Sequence, residues 1–237
     1  MIAEWSRVTG LVLAAAGSGS RLGGFPKQFR DLLGRPVYMH SLEAFEDLVA
    51  RSVIVVPADY VPAVEKAVSE LPGGGDVLVL SGGTSRQDSV GRGLEALCNS
   101  VEYVLVHDAA RPSVSRALIE RVLEGTVRWG ACIPVVPVHD TVKEVGDGVV
   151  VRTIPRKELA LAQTPQGARL EWLRDAVEKA AKAGFAATDE ALLLEWSGIP
   201  VHTVEGESAN VKLTWPEDLE RLAGSLSGRL EGTGNTL

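Results

Sequence analysis

Two cysteines, Cys98 and Cys132, are all that the chain of 237 residues contains, and no C-x-x-C pair occurs. That scarcity excludes a disulfide framework and offers no thiolate cage for a metal. It suits a reducing compartment. A basic excess is also missing: 24 Lys and Arg stand against 31 Asp and Glu, for a formal charge of -7. Coating many phosphates needs surplus cations, so nucleic acid is not an expected partner. Long apolar runs are absent too, since nothing approaches the ~18 residues needed to span a bilayer. The stretch from Val8 to Ala16 is broken by Thr9 and Gly10 and preceded by Glu4 and a single Arg7. A secretory signal needs a basic flank, so this segment reads as a buried strand and the chain as cytoplasmic. The four histidines, His40, His107, His139 and His202, are too dispersed to suggest a metal cluster.

What is present is enough for a core: 45% of residues are hydrophobic and 23% charged, which suits one large globular domain. Short apolar runs recur at Leu11 to Ala16, Val53 to Val56, Val77 to Leu80, Tyr103 to Val106 and Ala131 to Val136. Continuous runs of this length are how strands buried on both faces read. Between them, Val37 to Val49 and Val61 to Leu71 space apolar residues by three and four, as amphipathic helices do. Strand alternating with helix predicts an α/β fold, a Rossmann-like mostly parallel sheet with right-handed crossovers.

From Val136 to Thr164 the helical period stops. Val142 to Val145 and Val149 to Ile154 flank Gly146-Asp147-Gly148, the pattern of a β-hairpin. A parallel sheet has no place for a long hairpin, so an arm over about 137–160 is expected, gripping a second subunit or folding over its own domain. Helices are then expected at Leu170 to Lys182, Glu190 to Trp196 and Pro216 to Leu226, with short strands at Val201 to Val204 and Val211 to Leu213. The domain is expected to span 1–226 and the Gly/Ser-rich end, 227–237, to be a disordered tail.

Glycine is in excess, 25 residues where the usual share is roughly 7%. Much of it punctuates the carboxyl ends of the expected strands, where ligands collect in open α/β sheets. The run Gly17-Ser-Gly-Ser-Arg-Leu-Gly-Gly-Phe-Pro-Lys27 fails both familiar phosphate motifs. A dinucleotide fingerprint needs glycine where Leu22 stands, and a Walker loop needs Lys and Ser/Thr where Phe25 and Pro26 stand. Arg21 and Lys27 remain, with Arg7, Arg30 and Arg35 against only Glu4 and Asp31 in the first 35 residues. An acidic protein is thus locally basic, as a pocket for one small polyanion requires.

Seven motifs turn this into a family resemblance. They are Leu13-Ala-Ala-Ala-Gly-Ser-Gly-Ser-Arg-Leu-Gly with Pro26-Lys-Gln28, Gly82-Gly-Thr-Ser-Arg-Gln-Asp-Ser-Val90, Val106-His-Asp-Ala-Ala-Arg-Pro112, Asp140-Thr-Val-Lys143, Gln163-Thr-Pro-Gln166, Thr188-Asp-Glu190 and Asn210-Val-Lys212. In this order, over nearly the whole chain to about Leu226, they resemble the 2-C-methyl-D-erythritol 4-phosphate cytidylyltransferases. The resemblance implies a nucleotidyltransferase-type fold with CTP as co-substrate, Mg²⁺ as the metal and a polyol phosphate as the second substrate. It also implies a homodimer joined through the hairpin arm.

The site residues follow from the same resemblance. Arg21 and Lys27 match transition-state stabilisers, and Arg156 and Lys212 match residues that orient the attacking phosphate. Asp108 matches the metal ligand. Ala14, Ala15, Gly17, Gly19, Gly83, Thr84, Ser89, Ala109, Ala110 and Arg111 match nucleotide contacts, although the family often carries Asp where Thr84 stands. Thr141, Arg156 and Thr164 match the polyol phosphate site, shared between subunits. Taken alone, Asp108 reads as a cap or turn former, Arg156-Lys157 as a solvated basic pair, Lys212 as a surface lysine and Asp189-Glu190 as a helix start. Two alternatives stay open: a cytidylyltransferase for another polyol phosphate, such as ribitol 5-phosphate, and a non-catalytic nucleotide sensor.

Overall fold

In the computed structural model, residues 1–17, 25–71, 77–97 and 101–232 are described, with side chains as far as 227. Gly19, Arg21 and Cys98, the glycines at 73–75 and residues 233–237 lie outside the described residues. The strands are β1 Thr9–Ala14, β2 Asp31–Leu32, β3 Arg35–Pro36, β4 Arg51–Val56, β5 Val77–Ser81, β6 Tyr103–Asp108, β7 Ala131–Pro137, β8 Val142–Gly146, β9 Val149–Ile154, β10 Ala160–Ala162, β11 Gln166–Arg169 and β12 His202–Glu205. The helices are α1 Ile2–Trp5, α2 Val37–Glu43, α3 Val61–Ser69, α4 Arg86–Leu97, α5 Arg116–Trp129, α6 Leu170–Ala183, α7 Glu190–Trp196 and α8 Asp218–Gly232.

Strands β5, β4, β1 and β6 pair in parallel in that order. Strand β11 then runs antiparallel between β6 and β7, so β7 points the same way as β6. Along β7 lie also β12, parallel, and β10, antiparallel. The strand alternation explains why the central runs are apolar throughout. Leu11 and Leu13 face one side with Ile54, Val56 and Leu105, against Leu42 of α2, Val64 and Val68 of α3 and Leu118 and Val122 of α5. Val12 faces the other with Val53, Val55, Val104 and Val106, against Val90 and Leu94 of α4, Leu173 of α6 and Leu193 of α7. A strand with helices on both faces has no solvent side to make polar. Helix α4 lies so close to β1 that a Cβ on Gly93 would meet Val12 Cγ1 at 2.6 Å.

Several boundaries differ from the sequence reading. Helix α2 stops at Glu43 rather than Val49, because Phe45 and Leu48 bond back three residues, to Leu42 and Phe45, and Asp47 takes a φ of 63°. Phe45 and Leu48 are still buried, since a series of tight turns satisfies the same apolar spacing as a helix. Val211 to Leu213 form no strand. Leu213 N–H donates to Ala110 O and Val211 N–H to Ala209 O, so the segment is a loop stitched to the end of β6. Strands β10 and β11 are not anticipated by the sequence, because Ala-Leu-Ala and Gln-Gly-Ala-Arg lack β-branched residues and owe their conformation to pairing. Helix α8 starts at Asp218, whose carboxylate accepts from Thr214 N–H and Trp215 N–H, and it runs to Gly232, into the expected tail.

The hairpin is present. Strands β8 and β9 form a two-stranded sheet of their own, joined by Asp147 (φ 48°) and Gly148 (φ 78°). Two successive positive φ values mark the turn whose twist matches a hairpin. Val145, Val149, Val150 and Val151 are all more than half exposed.

Candidate active site

The carboxyl ends of β1 and β6 meet in register, Ala14 opposite Asp108. A cleft of about 530 Å³ opens there, lined by Ala14, Ala16, Gly17, Lys27, Gln28, Gly83, Thr84, Ser85, Arg86, Ser89, Asp108, Ala110 and Lys212. Three chain segments build its walls. The first follows β1, where the buried Gln28 amide donates to the carbonyls of Ala15 and Gly17 (2.9 Å to the latter), so the Lys27 turn is tied to the residues that leave β1.

The second wall is the turn from β5 into α4. Gly82 N–H donates to Val56 O (2.7 Å), Gly83 N–H to Ser89 Oγ (3.0 Å), and Thr84 N–H to Asp88 Oδ2 (2.8 Å). Ser89 Oγ–H closes the turn on Ser85 O (2.8 Å). A Cβ at position 83 would sit 1.9 Å from Asp88 Oδ2, the oxygen that holds Thr84, so glycine there is what lets Asp88 keep that bond.

The third wall is the end of β6 with the 207–213 loop. Asp108 is buried, yet its carboxylate meets three cations: Lys212 Nζ at 2.7 Å from Oδ2, Arg86 Nη2 at 3.3 Å from Oδ1 and Arg111 Nε at 3.8 Å from Oδ2. Burial alone pushes its pKa up, but the attraction of Arg86, then Lys212, then Arg111 overrides this and holds it well below the usual carboxylate range. Asp108 is therefore an anion at every physiological pH. Arg86 is likewise held above its usual value: burial works against its charge, and Glu190 and Asp108 outweigh it.

Behind Asp108 a hydrogen-bond chain has a determined direction. Arg111 O can only accept, so His107 Nε2–H donates to it (3.1 Å) and Nδ1 must accept from Thr164 Oγ–H (3.0 Å). Thr164 Oγ accepts in turn from Asp108 N–H (3.1 Å). Burial pushes the His107 pKa down to about 4, leaving a neutral ring with both nitrogens occupied. It packs and bonds beside Asp108 and is not placed to act as a base. Asn210 Nδ2–H donates to Thr164 O (2.8 Å) and Arg111 Nη1–H to Asn210 O (2.8 Å). Gln163 clamps Glu207 from both sides, accepting from its N–H (3.0 Å) and donating to its O (2.8 Å). The loop that ends in Lys212 is thus anchored at each step before it reaches the cleft.

Of the residues expected from sequence, Ala14, Gly17, Lys27, Gly83, Thr84, Ser89, Asp108, Ala110 and Lys212 line this cleft. Ala15 and Ala109 are buried behind it, with their N–H groups bonded to Val55 O and Ala14 O. Arg111 and Thr164 stand behind Asp108 in the supporting network. Thr141 and Arg156 are exposed where the chain enters and leaves the β8–β9 hairpin, both at its open end, where Arg156 Nη1–H donates to His139 O, and neither lines the cleft of its own chain. Gly19 and Arg21 fall outside the described residues. Sequence reasoning missed Arg86, Gln28 and Glu190 as members of the site, although all three sit inside quoted motifs. Their roles depend on contacts 11 to 104 residues away in the chain.

A family model of 2-C-methyl-D-erythritol 4-phosphate cytidylyltransferase matches residues 9–226. The chain is 44% identical over 243 residues to a bifunctional IspD/IspF enzyme of Bradyrhizobium diazoefficiens, covering 97% of this chain and 59% of that protein. It is 41% identical over 226 residues to a 2-C-methyl-D-erythritol 4-phosphate cytidylyltransferase of Acidobacterium capsulatum, covering 90% of this chain and 95% of that one. It therefore spans about three-fifths of the bifunctional relatives' length and nearly all of the shorter relative. Among solved structures, the cytidylyltransferase of that name from Thermus thermophilus superposes with a TM-score of 0.76 at 40% identity, over 93% of this chain and 98% of that one. The mixed, mostly parallel sheet and the convergent Lys27, Asp108 and Lys212 stand on a chain that belongs to the 2-C-methyl-D-erythritol 4-phosphate cytidylyltransferase family.

Proposed function

We propose that this chain transfers the cytidylyl group of CTP to 2-C-methyl-D-erythritol 4-phosphate, giving the CDP-linked polyol and pyrophosphate. The observation that carries this reading is a single cleft at the β1 and β6 carboxyl ends that combines Lys27, Lys212 and an ionised Asp108 beside a backbone turn fit for a base. A phosphate monoester is already a nucleophile at neutral pH, so no general base is needed and the neutral, engaged His107 is no obstacle. Its oxygen attacks the α-phosphorus and pyrophosphate departs. Catalysis then rests on positioning and on cations facing the growing charge. Lys27, with Arg21 six residues before it in the chain, serves the triphosphate. Lys212, whose side chain is 40% exposed, is the cation able to turn toward the incoming phosphate. The Gly83, Thr84 and Ser89 turn reads the cytosine edge.

Mg²⁺ is the metal this reading requires. Asp108 is the one carboxylate among the residues lining the cleft, and among the described residues no group of three His, Cys, Asp or Glu could hold a metal. That donor set fits an ion held by one carboxylate and completed by nucleotide phosphates and water. When bound there, the ion neutralises phosphate charge.

Thr141 and Arg156 lie on the hairpin, away from the cleft of their own chain. We infer that they complete the polyol phosphate site of a second copy in a homodimer, with the exposed valines of β8 and β9 as the apolar contact. No helix among the described residues is long and apolar enough to cross a membrane. The test is pyrophosphate release with Mg²⁺, CTP and each polyol phosphate in turn. Release with 2-C-methyl-D-erythritol 4-phosphate is expected. Release only with ribitol 5-phosphate would reassign the substrate, and none with either would favour a nucleotide sensor.

A further inference from the structure

The most densely paired charge in the cleft belongs to Arg86, at the start of α4. Its guanidinium donates through Nη1 to Glu190 Oε1 (2.6 Å) and through Nη2 to Glu190 Oε2 (3.0 Å). The same group donates through Nε (3.4 Å) and Nη2 (3.3 Å) to Asp108 Oδ1. Glu190 is 2% exposed and does not line the cleft, so it meets no ligand there itself. A buried carboxylate costs free energy unless paired, and one planar fork satisfies this one from both sides.

The two oxygens of Asp108 are consequently unlike. Oδ1 is held by Arg86, which is itself clamped by a buried partner on another element. Oδ2 is held at 2.7 Å by Lys212, a single ammonium on a flexible and half-exposed stem, with the largely buried Arg111 Nε farther off at 3.8 Å. The partner that can leave is Lys212.

We propose that Glu190 and Arg86 are a positioning pair: Glu190 clamps the guanidinium, Arg86 fixes Asp108 Oδ1, and Oδ2 is thereby presented to the cleft to exchange Lys212 for the divalent cation that enters with the nucleotide. The exchange also releases Lys212 toward the second substrate. This inference rests on the cytidylyltransferase reading for the identity of the nucleotide. The clamp itself is read from geometry alone. Neither residue touches the reacting atoms, so both act through Asp108.

The experiment measures Mn²⁺ affinity by electron paramagnetic resonance of the free ion, with saturating CTP and no polyol phosphate. Two variants are compared with the wild-type chain. Arg86→Lys keeps the charge but loses the fork. Arg86→Gln/Glu190→Gln removes both charges together, so that no buried carboxylate is left alone and the fold survives. Loss of a group that orients a metal ligand weakens affinity by about 10- to 100-fold. Both variants, folded by circular dichroism, are expected to bind Mn²⁺ that much more weakly, and their cytidylyl transfer should recover as Mg²⁺ is raised. Mn²⁺ affinity within twofold of wild type in either folded variant would overturn the proposal. If the wild-type chain binds Mn²⁺ tightly and the variants weakly while no polyol phosphate is cytidylylated, the positioning pair stands and the substrate reading falls.

Discussion

The side chains of this cleft are decided by their electrostatic surroundings more than by their type. Lys27 and Asp108 would each be ordinary on a surface; in the proposed reaction Lys27, within a partly enclosed cleft, faces charge that grows only as pyrophosphate departs. Replacing Lys27 by Ala is expected to lower kcat on the order of 10² to 10³, as loss of one preorganised electrostatic donor does. Steady-state kinetics on a variant with unchanged circular dichroism check this, and a loss below tenfold would remove Lys27 from the transition state. His107 leads to a prediction about stability. Its folded pKa of about 4 lies below the unfolded value near 6.5, so between these values the unfolded chain binds more protons and stability falls as the solution is acidified. From pH 7 to pH 5 the loss from this group is about 2 kcal/mol. The depressed Asp108 adds its own loss only lower, below its unfolded value near 4. Urea midpoints should drop over pH 7 to 5 in the wild-type chain and much less in His107→Gln; equal slopes would show that another group is responsible.

At the scale of elements, the cleft depends on two connections that hold backbone groups in place. One is the turn from β5 to α4. Gly83→Ala would drive the Asp88 carboxylate off Thr84 N–H, since the added Cβ falls 1.9 Å from Asp88 Oδ2. The expected result is a KM for CTP raised several-fold with little change in melting temperature, because the displaced group is an exposed side chain. An unchanged KM would separate this turn from nucleotide binding. The other connection is the 207–213 loop, and here the sequence misled in an informative way. Val211-Lys-Leu213 has the alternation of a strand, and Leu213 is buried against Leu32 and Leu222 with Val211 partly buried on the same cluster, but the Leu213 N–H bonds to Ala110 and no strand ladder forms. The same pattern serves a loop that lifts Lys212 to Asp108. The β11 strand was illegible for the converse reason: Gly167 and Ala168 carry no strand signal and are extended because β6 and β7 bond to them.

Across the whole molecule, the residues expected to serve one reaction lie in two places. Lys27, Asp108 and Lys212 meet in the cleft, while Thr141 and Arg156 flank the open end of a hairpin that makes no ladder with the main sheet. If a second copy supplies them, Arg156→Ala and Lys27→Ala chains, each inactive alone, should regain activity when mixed and refolded together. One site of each heterodimer would then be intact. Persistent inactivity, with heterodimers demonstrated by native mass spectrometry, would place the whole site in one chain.

By itself the sequence determined the central architecture, because a parallel strand covered on both faces must be apolar at every position and its helices must be amphipathic. It also pointed to the end of the sheet where the cleft opens, because the glycine and charge clusters follow those strands. The hairpin turn at Asp147-Gly148 was legible as well, since two positive φ values narrow the choice of residue. Only the tertiary structure decided which charges meet. Arg86 stands without an assigned role inside a motif and Asp189-Glu190 reads as a helix start, until the fold brings Arg86 and Glu190, 104 residues apart, together behind Asp108. Pairing of this kind leaves no local pattern, because ionic contacts depend on position in space and not on spacing along the chain.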